Sequence, residues 1–193
     1  MFKKSLLLLP AALLVFTGCF GGGEDTSEDG QLQNFTTFES TTFSISKPQQ
    51  WKVIEPKDFS NDIPSETQII FRNNVLDDRF TANANVTKKI LKSPMSSYEF
   101  GRSEISETKN TLLNYKEISR DEEFNLVVSG QMQKSILIMF EGKQTEAEPT
   151  IRIVQVYAVN GTDAYTATSA YLLEADDAAV DNAKNIVKSF KIL

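Results

Sequence analysis

Hydrophobic and polar residues alternate in short runs over most of the chain, which is the pattern of strands that bury one side of a sheet. Asn160-Gly161 separates two of the longer runs, and this dipeptide strongly favours a tight turn between antiparallel strands. The predicted strands span residues 42–46, 51–54, 68–72, 81–91, 124–128, 133–141, 151–159 and 164–172.

Two segments have the apolar spacing of helices. In residues 97–114, Tyr98 and Ile105 are seven positions apart, and Ser96 and Glu99 have the spacing of a capping box at the N-terminus. The second helix begins after a group of acidic residues near position 174. Its apolar stripe consists of Ala179, Val180, Ala183, Ile186, Val187 and Phe190, and Lys184, Lys188 and Lys191 lie towards its end. These charges complement the helix dipole at both ends.

Two of the predicted strands are apolar on both faces, over residues 136–140 and 151–159. A sheet of hairpins that is buried on both sides needs a layer over each face. We therefore predict an α+β fold, a three-layer α/β/α sandwich with a central antiparallel sheet.

The N-terminus has the organisation of a secretory signal. Lys3 and Lys4 precede an apolar run from residue 6 to residue 16, which is too short to remain as a membrane span. The following Phe16-Thr17-Gly18-Cys19 resembles the bacterial lipobox, although Phe16 stands where Leu is usual. The resemblance implies cleavage before Cys19 and attachment of a diacylglycerol to its thiol, so we predict lipidation at Cys19 and anchoring on a membrane.

Composition divides the chain into three parts. Residues 1–18 are the predicted lipoprotein signal peptide. Residues 19–40 contain the lipidated cysteine and a segment without Lys or Arg but with five carboxylates, which predicts a flexible acidic tether. Residues 41–193 form the predicted folded domain, which is large enough to fold without a metal or a disulfide.

The charge balance and the missing residue types exclude several functions. The chain of 193 residues has 20 basic and 26 acidic residues, so it lacks the basic excess that nucleic-acid binding needs. It has no histidine and one cysteine, which excludes Ser-His-Asp and Cys-His catalysis, His/Cys zinc sites and an internal disulfide. We therefore expect no metal, no cofactor and no catalytic residues.

The remaining polar motifs are more economically explained as solvated helix faces. Ser106 and Lys109 match a Ser-x-x-Lys spacing without its companion motifs. Carboxylate groups that could act as acids, bases or cation ligands are Glu104 with Glu107, and Asp176 with Asp177 and Asp181.

The thirteen Phe residues could line an apolar ligand pocket, but most fall on predicted core faces, including Phe43, Phe71, Phe140 and Phe190. Trp51 is predicted to be a core residue as well. A binding site is more plausible on the long connections, which are 55–67, 73–80 and 142–150.

Residues 43–52 (FSISKPQQWK), the mid-chain helix, the run of hairpins and the closing residues 186–191 (IVKSFK) resemble the PsbP-like superfamily. The resemblance covers about residues 43–193. It implies an α/β/α sandwich with an antiparallel sheet, in agreement with the patterning. Known members of the superfamily mostly bind proteins rather than catalyse reactions, and no functional residue other than the lipidated Cys19 is carried over.

We expect a monomeric, non-enzymatic envelope lipoprotein that faces the periplasm or the cell exterior. It would bind or assemble envelope proteins while its lipid anchor holds it on the membrane. Two alternatives stay open, namely a small-molecule or lipid carrier with an apolar cavity, and a hydrolase that uses carboxylates or a Ser-Lys pair.

Overall fold

The structure is a computed structural model, and it describes residues 34–193. Cys19 and the predicted signal peptide lie outside the described residues. The elements in chain order are β1 (Phe35–Glu39), β2 (Phe43–Pro48), β3 (Lys52–Ile54), a short 3-10 helix (Pro56–Asp58), β4 (Thr67–Arg72), β5 (Asn83–Ile90), α1 (Ser97–Thr111), β6 (Leu113–Asp121), β7 (Asn125–Val128), β8 (Gln131–Lys134), β9 (Leu137–Lys143), β10 (Ile151–Asn160), β11 (Asp163–Leu172), α2 (Asp177–Lys188) and β12 (Lys191–Ile192).

A seven-stranded antiparallel sheet forms the middle layer, with the strand order β3-β4-β5-β11-β10-β9-β6. Its centre is the predicted hairpin, in which β10 and β11 pair from Ile151 opposite Leu172 to Asn160 opposite Asp163. Gly161 occupies the turn with a φ of 65°, a left-handed conformation that glycine adopts without steric cost.

The two helices cover opposite faces of this sheet. On one face, Ile153 and Tyr157 of β10 join a core with Phe100 and Ile105 of α1. On the other face, the alternate residues of β10 and β11 pack against α2, Trp51 and the aromatic residues of β2 and β4. The predicted α/β/α arrangement around an antiparallel sheet is therefore confirmed.

The first helix approaches the sheet closely because of Gly101. A Cβ atom at this position would lie 2.9 Å from Cδ2 of Tyr157, so a larger side chain would push the helix away. The predicted capping box is present, with the Ser96 hydroxyl accepting from the Glu99 amide and the Glu99 carboxylate accepting from the Ser96 amide. Both features fix where α1 begins and how it lies.

The ends of both helices differ from the prediction. α1 ends at Thr111 instead of continuing to residue 114, because Leu112 is extended and β6 begins at once to pair with β9. α2 ends at Lys188, and Lys191 belongs to β12. The predicted group of lysines at the end of α2 therefore includes one residue, Lys191, that belongs to the next strand.

A second sheet of five strands was not predicted. Its order is β1-β2-β12-β7-β8, and its only parallel pair among the described residues is β12 with β7. The predicted strand over residues 133–141 is divided between the two sheets as β8 and β9. The division occurs at Ser135, whose hydroxyl donates to the Tyr157 carbonyl at 2.5 Å.

The strand β1 corrects the predicted boundary between tether and domain. Residues 35–39 were assigned to the flexible tether of residues 19–40, but they pair in register with β2. The ring of Phe38 packs edge-on against Phe71 with centroids 5.5 Å apart, which explains why this polar segment is ordered. The domain therefore begins near residue 35 rather than at residue 41.

Phe190, which lies between α2 and β12, should contribute much of the stability of the domain. This side chain is 1% exposed, and its ring lies 5.7 Å from that of Phe43 and 6.2 Å from that of Tyr165. We predict that Phe190→Ala lowers the free energy of unfolding by about 3–5 kcal/mol, while Lys188→Ala on the solvated side changes it by about 0.5 kcal/mol or less. Urea denaturation of both variants measures this difference. Equal stability of the two would show that α2 is not docked on the sheet.

Candidate functional site

A surface groove runs between the N-terminal half of α2, the loop that joins β4 to β5, and the end of β11. It consists of two adjoining hollows of about 200 and 260 Å³ that share six lining residues. The shared residues are Asn73, Val75, Ala82, Tyr171, Asp176 and Ala179. We call this feature the α2 groove.

Small side chains on α2 leave the space that the groove occupies. Ala178, Ala179 and Ala183 line it, and Trp51 lies on its opposite side. Asp176 caps the helix by accepting a hydrogen bond of 2.8 Å from the Ala179 amide. The beginning of α2 is therefore fixed next to the groove, and the alanines that follow do not fill it.

The β4–β5 loop is held by its own side chains. The Asp77 carboxylate accepts from the amides of Arg79 at 2.8 Å and Phe80 at 3.4 Å, and these bonds hold the pKa of Asp77 below its usual range. Val75 and Leu76, at the tip of the loop, are 76% and 52% exposed. Two large apolar side chains are thus presented to solvent at the edge of the groove.

Carboxylates dominate the rim. Asp77 and Glu174 both lie near Arg79, with nitrogen–oxygen distances of 3.5 and 3.4 Å, and all three side chains are well exposed. Exposed ion pairs of this kind contribute little stability. They do determine the electrostatic potential that an approaching ligand meets.

The floor of the groove combines aromatic and buried groups. Tyr171 lies opposite Arg152 in the β10–β11 register. Burial raises the pKa of Tyr171, and the nearby Arg152 lowers it in part, so the phenol is neutral at physiological pH. The floor therefore offers an aromatic surface without a charge of its own.

The chain enters the domain beside this groove. The Asn34 carbonyl accepts from the Gln49 amide at 2.7 Å, and the Asn74 side-chain amide donates to the Gln50 carbonyl. Gln49 and Gln50 directly precede Trp51, and Asn74 directly precedes Val75. The first described residue and the mouth of the groove are therefore at the same end of the molecule.

A second polar region lies under α1 and is satisfied internally. Lys89 of β5 donates to both oxygens of Glu104 at 3.0 and 3.1 Å. Gln155 accepts from the Tyr157 hydroxyl at 2.8 Å and donates to the Thr168 hydroxyl at 3.0 Å. The Lys89–Glu104 contact joins the helix to the sheet and accounts for the burial of Glu104, while the Gln155 contacts lie within the sheet.

The candidate catalytic groups lie on α1 and at the start of α2. Ser106 and Lys109 are both exposed on α1, and Glu104 is paired with Lys89 while Glu107 is half-buried. Asp176 is the helix cap of α2, and Asp177 and Asp181 are exposed on that helix. Within residues 34–193, no three His, Cys, Asp or Glu residues are grouped so that they could hold a metal ion.

The predicted core aromatics are buried as expected, namely Phe43, Phe71, Phe140, Phe190 and Trp51. Trp51 also lines the α2 groove, a role that its sequence position did not indicate. Of the three predicted binding connections, residues 73–80 form one wall of the groove. Residues 58, 60 and 63 of the first connection line a separate hollow of about 390 Å³ beside Lys52 and Arg72. The connection 142–150 lines none of these hollows.

No helix among residues 34–193 combines the length and the apolar character needed to cross a membrane. No protein-family model and no curated protein matches the sequence. The solved structures with the same architecture are therefore the informative comparison.

The fold is PsbP-like. The chain is similar to CyanoP, the cyanobacterial PsbP of Synechocystis sp. PCC 6803, with a TM-score of 0.53 and 11% identity over 88% of this chain and 98% of that one. It is also similar to LpqN of Mycobacterium tuberculosis, with a TM-score of 0.53 and 11% identity over 82% of this chain and 90% of that one. LpqN is described as involved in cell envelope biogenesis. At these identities the similarity shows the fold alone.

Burial of Glu104 should make stability depend on pH in a defined direction. Burial raises the pKa of Glu104 above its ordinary value of 4.5, although Lys89 opposes the shift. The folded state then holds the proton more tightly than the unfolded chain. The stability from this group is complete below pH 4.5 and is lost as the pH rises through the raised pKa.

We predict that Glu104→Gln weakens the dependence of the unfolding free energy on pH. Between pH 4.5 and neutrality, the unfolding free energy of the variant should fall less than that of the parent. Urea denaturation at several pH values measures the slope. Glu39→Gln, which removes an exposed carboxylate on β1, is the matched control and should keep the parental slope. Parallel curves for all three proteins would contradict the assignment.

Proposed function

We propose that this protein is a membrane-anchored envelope lipoprotein that acts as a non-enzymatic binding or assembly module. In this proposal Cys19 carries the lipid and the α2 groove is the surface that engages an envelope protein. The observation that supports it best is the position of the groove at the end of the domain where the chain from Cys19 enters.

Chain length limits how far the groove can lie from the membrane. Fifteen residue steps separate Cys19 from Asn34. At full extension this distance is at most about 50 Å, and it is shorter for any less extended chain. A lipid on Cys19 would therefore keep the groove within reach of proteins in or on the same membrane, and this proximity raises their effective concentration.

The exposed loop tip also supports protein binding. Val75 and Leu76 are large apolar residues next to a groove with an aromatic floor, and such surfaces commonly form the centre of protein interfaces. The similarity to LpqN, which is described as involved in cell envelope biogenesis, is compatible with a role at the envelope.

The carrier alternative is less well supported by the size of the hollows. Taken separately, the two hollows of the groove, of about 200 and 260 Å³, lie below the roughly 300–1,000 Å³ typical of small-molecule pockets. The hollow of about 390 Å³ is large enough, but the charged Lys52, Asp58 and Arg72 line it. The Phe residues that suggested a cavity pack against each other, as Phe43 does with Phe190. The hydrolase alternative uses carboxylates or the Ser106–Lys109 pair. Ser106 and Lys109 are exposed on α1, and Glu104 is paired with Lys89.

Photo-crosslinking in the native envelope tests the proposal. A benzophenone amino acid replaces Val75 in the full-length chain, expressed in its own bacterial host. We predict one main protein adduct in the membrane fraction. Cys19→Ala, combined with the same label, should release the protein from membranes, remove the acyl mass and reduce the adduct, because the partner is no longer held nearby.

The control places the same label at Ile118, which is 39% exposed on the outer strand β6. This label should give little adduct. Equal yields at Val75 and Ile118 would contradict the groove as the binding surface. A Cys19→Ala protein that stays in the membrane fraction without a change in acyl mass would contradict the lipid anchor.

A further inference from the structure

The two walls of the α2 groove carry an excess of carboxylates. Two ten-residue segments form its walls, residues 73–82 and 174–183. Together they contain six carboxylates and one guanidinium, and the charged residues among them that line the groove are Asp77, Arg79, Glu174 and Asp176. The single cation, Arg79, is already shared by Asp77 and Glu174. Carboxylates therefore outnumber cations in the lining by three to one, and a ligand in the groove meets a negative potential.

The floor beneath these charges is apolar and aromatic. It is formed by Ala82 and by the small exposed parts of Trp51 and Tyr171, which are 7% and 2% exposed, with Ala179 on the helix side and Val75 on the loop side. Such a surface can bind an apolar side chain of a partner, because burial of that side chain stabilises the complex. The acidic rim favours a positive charge on the neighbouring residue of the partner. The combination is complementary to an apolar residue next to Lys or Arg.

Like charge disfavours the other occupants. Residues 20–33 of this chain carry four carboxylates and no Lys or Arg, so the groove repels them. A second copy would place two acidic rims together, and an anionic lipid surface would be repelled for the same reason. Only a basic partner gains from this arrangement of charges.

We infer that the α2 groove binds a basic segment of a partner protein, with an apolar side chain on the Trp51–Tyr171 floor and a Lys or Arg against the carboxylates of the rim. This inference rests on the proposed function, because it specifies the chemistry of the partner at the same surface. It does not depend on the lipid anchor.

Selection from a random peptide library tests the inference without assuming a partner. The mature lipidated chain in detergent is immobilised and exposed to random octapeptides. We expect the enriched peptides to carry a net positive charge, with Lys or Arg adjacent to an apolar residue. Trp51 is the only tryptophan, so binding of a selected peptide without tryptophan can be followed by its fluorescence.

One pair of variants locates the site. Ala179→Arg places a long cation in the groove on a half-buried position of α2, and it should weaken the selected peptide at least about tenfold through steric block and repulsion. Ser106→Arg makes the same change on the exposed face of α1 and should leave affinity within about twofold. Thermal unfolding of both variants verifies that each is folded.

A second pair tests the charges. Asp176→Asn with Glu174→Gln removes two lining carboxylates and keeps a good helix cap, so affinity should fall by about three- to tenfold. Glu39→Gln with Asp121→Asn removes two carboxylates elsewhere and should have little effect. Affinity for the parent should also fall as salt is raised.

Neutral or acidic selected peptides, an absence of enrichment, or unchanged affinity in Ala179→Arg would each overturn the inference. Crosslinking from Val75 does not depend on the charge of the partner. If that adduct forms while basic peptides fail to bind, the inference on partner chemistry is wrong and the proposed function stands. If basic peptides bind and the adduct is absent, the proposed function fails instead.

Discussion

The β10–β11 hairpin is the contact on which the rest of the structure depends. Nearly every residue of both strands is buried, on the α1 side as well as on the α2 side. Strands that are apolar on both faces are stable only when each face is covered. The capping box that orients α1 and the buried Ala183, Ile186 and Val187 of α2 meet this requirement, because they help to hold a helix against each side of the same hairpin.

The two helices that cover the sheet differ in how much surface they leave open for binding. Under α1, Gln155 bonds to Tyr157 and Thr168 within the sheet, and Lys89 pairs with Glu104 of the helix, so this side is occupied by internal contacts. On the other side, α2 presents alanines near its N-terminus and leaves a groove against the β4–β5 loop. Because the walls of that groove contain an excess of carboxylates, the same helix that completes the core also defines the surface we assign to binding.

The sequence predicted the parts of the fold whose local signals agree with their packing. Asn160-Gly161 correctly indicated the central hairpin, and Ser96 with Glu99 correctly indicated the start of α1. β6 was missed because a nine-residue outer strand exposes almost all its side chains and has no apolar alternation. β1 was missed for a related reason, since its order comes from pairing with β2 and from Phe38. The sequence indicated only one wall of the groove, the connection 73–80. Trp51 and Tyr171 are far apart in sequence and line the same groove only in the folded domain.

Hydrogen–deuterium exchange of the protein in membranes of its own host, where we propose that it is anchored, compared with the same protein purified in detergent, tests the central claim most directly. A binding surface at the α2 groove predicts added protection in residues 73–82 and in the first half of α2 when the protein is in the membrane. The outer strand β6 should exchange equally in both samples. Protection that appears in β6 and not in the two walls of the groove would contradict the account.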